Sequence, residues 1–69
     1  MNNECLKEYL KLIHCSKGIT YEEFCLRGNG SMTRKNKWLR FLLHQHYVYR
    51  NEANEFYLSR WGNQLLEKL

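Results

Sequence analysis

The sequence predicts a mostly α-helical domain with one small β-hairpin, in the order α-α-α-β-β-α. Two observations carry that expectation. Apolar residues recur at helical spacing near both ends and in the middle of the chain, and between residues 47 and 58 the pattern changes to short aromatic and β-branched runs. The 69 residues have no Pro, no repeat and no low-complexity tract. A chain this short buries only about 60% of the surface its unfolded form exposes. One domain over residues 1–69 is the expectation.

The first helix is read from NECLKEYLKLIHC, where Leu6, Tyr9, Leu10 and Ile13 form an i, i+3, i+4, i+7 stripe. Asn3 is placed to cap it, and Glu4 favours its first turn. Cys5 and Leu12 lie beside the stripe and widen the apolar face. Ser16, Lys17 and Gly18 end the helix.

A second, short helix is expected from Tyr21 to Arg27. Thr20 and Glu23 have the spacing of a capping box, and Ile19 can staple onto Phe24. RGNGS then breaks it, with Gly28 and Gly30 free to take positive φ. A third helix should start at Ser31 or Thr33 and reach about His46. YVYR and EFYLS flank the polar turn NEAN and read as a hairpin with a four-residue loop. Ser59 can cap a last helix in which Trp61, Leu65 and Leu69 share a face. Gly62 inside that helix costs about 1 kcal/mol relative to Ala, which points to a close backbone approach.

Charge is unevenly spread. The net charge is +4, all seven acidic residues are Glu, and none lies between Phe24 and Tyr49. That interval holds Arg27, Arg34, Lys35, Lys37 and Arg40. Positive charge focused in this way attracts polyanions. At about 100° per residue, Met32, Lys35, Leu39, Leu42, Leu43 and His46 fall on one side of the third helix. Thr33, Lys37, Arg40, Phe41 and His44 fall opposite, with Arg34 and Asn36 at the margins. The Leu side should hold the core, with Trp38 at its border, and the basic side should face outward.

The ending F-Y-L-S-R-W-G-N-Q-L-L, Phe56 to Leu66, resembles the aromatic-x-Leu-Thr/Ser-x-x-Gly-x-x-Leu-Leu close of many winged helix–turn–helix regulators. W-L-R-F-L-L-H-Q-H-Y-V is similar to the recognition helix running into the first wing strand of those families. Minimal archaeal and viral regulators and the bacterial MarR- and PadR-like groups have this form, and the resemblance covers about residues 4 to 69. It implies a winged helix–turn–helix fold and sequence-specific binding of double-stranded DNA by a transcriptional regulator such as a repressor. The third helix, about 33–46, would enter the major groove, and a short wing would span 47–58. The wing carries Glu52 and Glu55 where a deeply inserted wing carries cations, so the implied wing contact is weak.

In such an arrangement Arg and Lys suit guanine and Asn suits adenine, while hydroxyls and helix-start N–H groups suit phosphate. The expected DNA-binding set is Ser31, Thr33, Arg34, Asn36, Lys37, Arg40, His44 and Arg50. Lys35 adds a further cation to the same helix. Spare apolar surface on the two terminal helices suggests a homodimer through Cys5, Leu12, Trp61, Leu66 and Leu69. Against it stands a monomer in which those helices cover each other. A module of the same fold that meets an acidic protein partner is the alternative function.

Other chemistry is disfavoured. Cys5, Cys15 and Cys25 make an odd set without C-x-x-C spacing, as expected of buried small hydrophobes rather than disulfides. Only His44 and His46 approach the close pairing of zinc ligands that Cys15 and Cys25 would have to complete. His14 with Cys15, and Cys25 with Glu23, lack the further groups that nucleophilic catalysis needs. No enzyme activity, cofactor or metal is expected. There is no apolar run near the ~20 residues of a membrane span and no signal-peptide pattern. The expected location is cytoplasmic, near the nucleoid or in the host cytoplasm for a viral protein.

Overall fold

Four helices pack around a three-stranded antiparallel sheet in the computed structural model, which describes residues 3–69, with the side chain of Asn3 outside the described part. The elements are α1 (Asn3–Ser16), β1 (Ile19–Thr20), α2 (Tyr21–Arg27), α3 (Met32–His44), β2 (Val48–Arg50), β3 (Glu55–Leu58) and α4 (Arg60–Lys68). The expected Asn3 cap therefore lies outside the described side chains.

Leu6, Tyr9, Leu10 and Ile13 are all buried, so the stripe on α1 faces one core. Ile19, Phe24, Leu39, Leu42, Val48 and Phe56 complete that core from the other elements. α1 turns out of its helix through Lys17 and Gly18, both at positive φ. Cys15 is exposed rather than buried, because it sits between the inward positions 13 and 16. Cys5 and Cys25 are half-buried.

The sheet has one strand more than the expected hairpin. β3 is central, with Ile19 opposite Phe56 on one side and Val48 opposite Leu58 on the other. The extra strand follows from the cap itself. An N-cap residue has extended backbone, and Thr20 at φ −76°, ψ 163° satisfies both demands at once. The Thr20 hydroxyl accepts the Glu23 N–H at 3.2 Å and donates to the Glu23 carboxylate at 3.4 Å.

Gly28 departs from expectation. Its φ is −75°, so it is not left-handed, but an added Cβ would lie 2.8 Å from the Phe24 carbonyl oxygen. Space, rather than sign of φ, selects glycine there. Gly30 does take positive φ, at 100°.

Three residues differ from the helical-wheel reading of the third helix. The helix stops at His44, and His46 is an exposed left-handed residue (φ 64°) instead of a core edge. Tyr47 N–H reaches the Leu42 carbonyl at 2.9 Å and His46 N–H the Leu43 carbonyl at 3.2 Å. These are the two bonds of a Schellman ending. Met32 lies on the Leu side but at the open end of the helix, and it is exposed. Phe41, expected outside, is half-buried because the chain folds back over it. Its ring packs 5.7 Å from Trp38 and 6.5 Å from Tyr47.

Lys35 lies on the Leu side as the wheel has it, but it is turned inward and is no further cation of the outward face. It is 7% exposed and its ammonium donates to the Cys25 carbonyl. The last four carbonyls of a helix lack intrahelical partners and carry partial negative charge. Gly28 N–H serves Phe24 at the end of α2, and Lys35 serves Cys25. A buried cation is thus compensated by a helix end, and the bond locks α2 against α3. Replacing Lys35 with Met should cost about 1–3 kcal/mol in urea denaturation, since a buried carbonyl loses its donor; an unchanged midpoint would show the bond to be idle.

The terminal helices pack on each other, with His14 Nδ1 3.2 Å from Asn63 Oδ1. Cys5, Leu12, Leu65, Leu66 and Leu69 lie half-buried against the core, whereas Trp61 remains 61% exposed. No helix among the described residues is long and apolar enough to cross a membrane.

Candidate nucleic-acid interface

The start of α3 is set by Ser31, whose hydroxyl accepts the Arg34 N–H at 3.2 Å. No acidic residue occupies the first turn, so the positive end of the helix is uncompensated. With Leu39 and Leu42 buried, the helix must turn Thr33, Arg34, Asn36, Lys37, Arg40 and His44 outward, and all six are exposed.

Beside this face runs an open groove of about 660 Å³ between α3, the start of α2 and the hairpin. Leu39, Leu43 and Phe56 line its apolar part. Thr33, Asn36, Lys37 and Arg40 line it from α3, Arg50 from β2 and Tyr21 from α2. Lys37, Arg40 and Arg50 thus share one concavity that no carboxylate lines.

Arg50 comes there through sheet register. It pairs with Phe56, a core residue, so its side chain leaves the sheet on the inner face, at the end near α3. Tyr49 and Tyr57 pair on the outer face, with rings stacked 5.6 Å apart. The turn beyond is held by Asn51, whose side-chain oxygen accepts the N–H groups of Ala53 (3.0 Å) and Glu55 (2.9 Å). Its amide donates to the Glu55 carboxylate at 3.2 Å, which fastens that acid within the turn, while Glu52 is exposed.

Three of the eight expected contacts sit outside the groove. Ser31 caps the helix, and His44 lies beyond the groove on the same helix. Arg34 turns toward α1, its Nη1 3.7 Å from Cys5 Sγ. Nearby, burial pushes the Tyr9 phenol up, helped by Cys5 and opposed by Arg34. Its hydroxyl donates to the Asn29 carbonyl at 2.5 Å and ties α1 to the turn between α2 and α3.

Tyr21 is the groove residue that sequence reasoning missed. It is 42% exposed, and its hydroxyl donates to Asn36 Oδ1 at 2.5 Å. A hydrogen bond to the Cys25 side chain, with desolvation second, raises its pKa, and the contact with Asn36 opposes the rise. The one available signal was an aromatic first residue on a short helix whose core position is Phe24.

Among the described residues, no three His, Cys or Glu side chains gather in a way that could hold a metal ion. Comparison with protein-family models, with curated proteins and with solved structures gives no match.

Proposed function

We propose that this domain is a winged helix–turn–helix that binds double-stranded DNA sequence-specifically, as a transcriptional regulator without catalytic activity. α3 enters the major groove and the β2–β3 hairpin is a short wing. The observation that carries this reading is the groove in which Lys37, Arg40 and Arg50 converge beside Asn36 with no acid among them. The order of elements, with two helices meeting at a short turn before a hairpin, supports it. Phosphate contacts supply affinity and base-edge contacts from the first turns of the inserted helix supply specificity.

A salt titration of duplex binding tests the reading. Each neutralised phosphate contributes about −0.9 to the slope of log K against log salt. Lys37, Arg40 and Arg50 therefore set a slope of roughly −3 for one chain and about −5 for two. Lys35, held inside at the end of α2, adds nothing. The steeper value is the expected one, because we assign a homodimer formed around α1 and α4, where Trp61 stays open to solvent.

A second reading has its own observation. Leu26 (85% exposed) and Met32 (50% exposed) flank the turn that leads into α3, and apolar knobs beside a basic face suit an acidic protein partner. On that reading duplex binding is absent even at low salt.

A further inference from the structure

The Tyr21–Asn36 contact joins α2 to α3 across the groove, and its chemistry bears on which base edge Asn36 can read. The terminal torsion of an exposed Asn is broad and roughly two-fold, so a free Asn offers either its oxygen or its nitrogen to a ligand. Asn36 does not have that freedom. The Tyr21 hydroxyl holds Oδ1 at 2.5 Å, and both groups lie on the groove wall beside Thr33, Lys37 and Arg40.

Resting on the reading of this surface as a DNA interface, we infer that Tyr21 is a positioning residue that sets the base preference of Asn36. The bond uses one of the two lone pairs of Oδ1 and fixes the rotation of the amide, leaving the second lone pair beside the N–H donors of Nδ2. The bidentate pairing of Asn with adenine needs Oδ1 to accept from N6 while Nδ2 donates to N7, whereas guanine offers only the acceptors O6 and N7 at that edge. The pair therefore selects adenine at the base pair under Asn36, and removal of the hydroxyl frees the amide to turn its Nδ2 donors toward guanine.

The test is selection from a random-sequence duplex library by the full chain, its Tyr21→Phe variant and its Asn36→Ala variant. The base pair whose preference vanishes in Asn36→Ala marks the position that Asn36 reads. There, the native chain should favour adenine, and Tyr21→Phe should lower the adenine-to-guanine ratio by roughly three- to tenfold, the worth of one neutral hydrogen bond. Preferences at other positions should persist, and the melting midpoint of Tyr21→Phe should fall only slightly, because the bond it loses is exposed. A merely structural role would lower affinity for all sequences alike. If Tyr21→Phe reproduces the native profile, or the native chain favours guanine there, the assignment is wrong while DNA recognition stands. If the native chain retains no duplex, the DNA reading fails and the assignment falls with it.

Discussion

Gly62→Ala should remove most of the protein's stability, the reverse of what the same change does in an ordinary helix. At a solvent-facing helical site Ala is better than Gly by about 1 kcal/mol. Here the added Cβ would stand 2.0 Å from the Tyr47 carbonyl oxygen and 3.0 Å from its carbon. Neither is a side chain that can swing away. The same carbonyl accepts the Ser59 N–H at 2.9 Å, and the Ser59 hydroxyl donates to the His46 carbonyl while accepting the Gly62 N–H at 3.2 Å. The first turn of α4 is thus stitched to the residues that end α3. Alanine must either push α4 off this seat or break the Ser59 bond. Overpacking costs about 1–3 kcal/mol, and a lost backbone hydrogen bond adds about 1 kcal/mol. A single core in a chain this small supplies only about 3–5 kcal/mol in all. Circular dichroism during a thermal melt checks it, and a variant as stable as the native chain would contradict the close approach.

Removing the groove's three cations should separate binding from folding. In a Lys37→Ala, Arg40→Ala, Arg50→Ala variant each truncation is worth about 1–3 kcal/mol of DNA binding. Together they should lower duplex affinity more than about a hundredfold, since 1.4 kcal/mol is a factor of ten. The residual salt slope should flatten toward zero. Stability should hold or rise slightly, because all three side chains are exposed and repel one another. Undiminished binding would move the interface elsewhere on the surface. Collapse of the fold would mean that these side chains support the groove walls.

The difference between α2 and β1 shows what could be read before the structure. α2 begins and ends where Thr20, Glu23 and the glycines after Arg27 placed it, because caps and turns act within a few residues. β1 escaped notice because two residues, already assigned to a cap and a staple, show no alternation; its pairing is decided by β3, far along the chain. Lys35 illustrates a second limit. The wheel put it on the Leu side correctly, but the carbonyl that makes the position habitable belongs to another helix. Phe41 was misplaced for a related reason, since Tyr47 covers a helix side that the third helix alone would leave open. In the candidate site the outward set on α3 was legible from periodicity. The arrival of Arg50 needed the strand register, and the meeting of Tyr21 with Asn36 needed the angle between two helices.

The position of β3 at the centre of the sheet constrains how the chain comes to be folded. Both of its partners, β1 and β2, are synthesised before it. At about 5–20 residues per second, a nascent chain waits on the order of seconds with Ile19 and Val48 lacking the strand that joins them. Helices form in microseconds or less, so the early segments have ample time to coil but no sheet on which to settle. Assembly of the core is therefore deferred until Phe56 is delivered. Until β3 arrives, the apolar side chains of α1 and α3 lack the sheet that covers them in the folded protein.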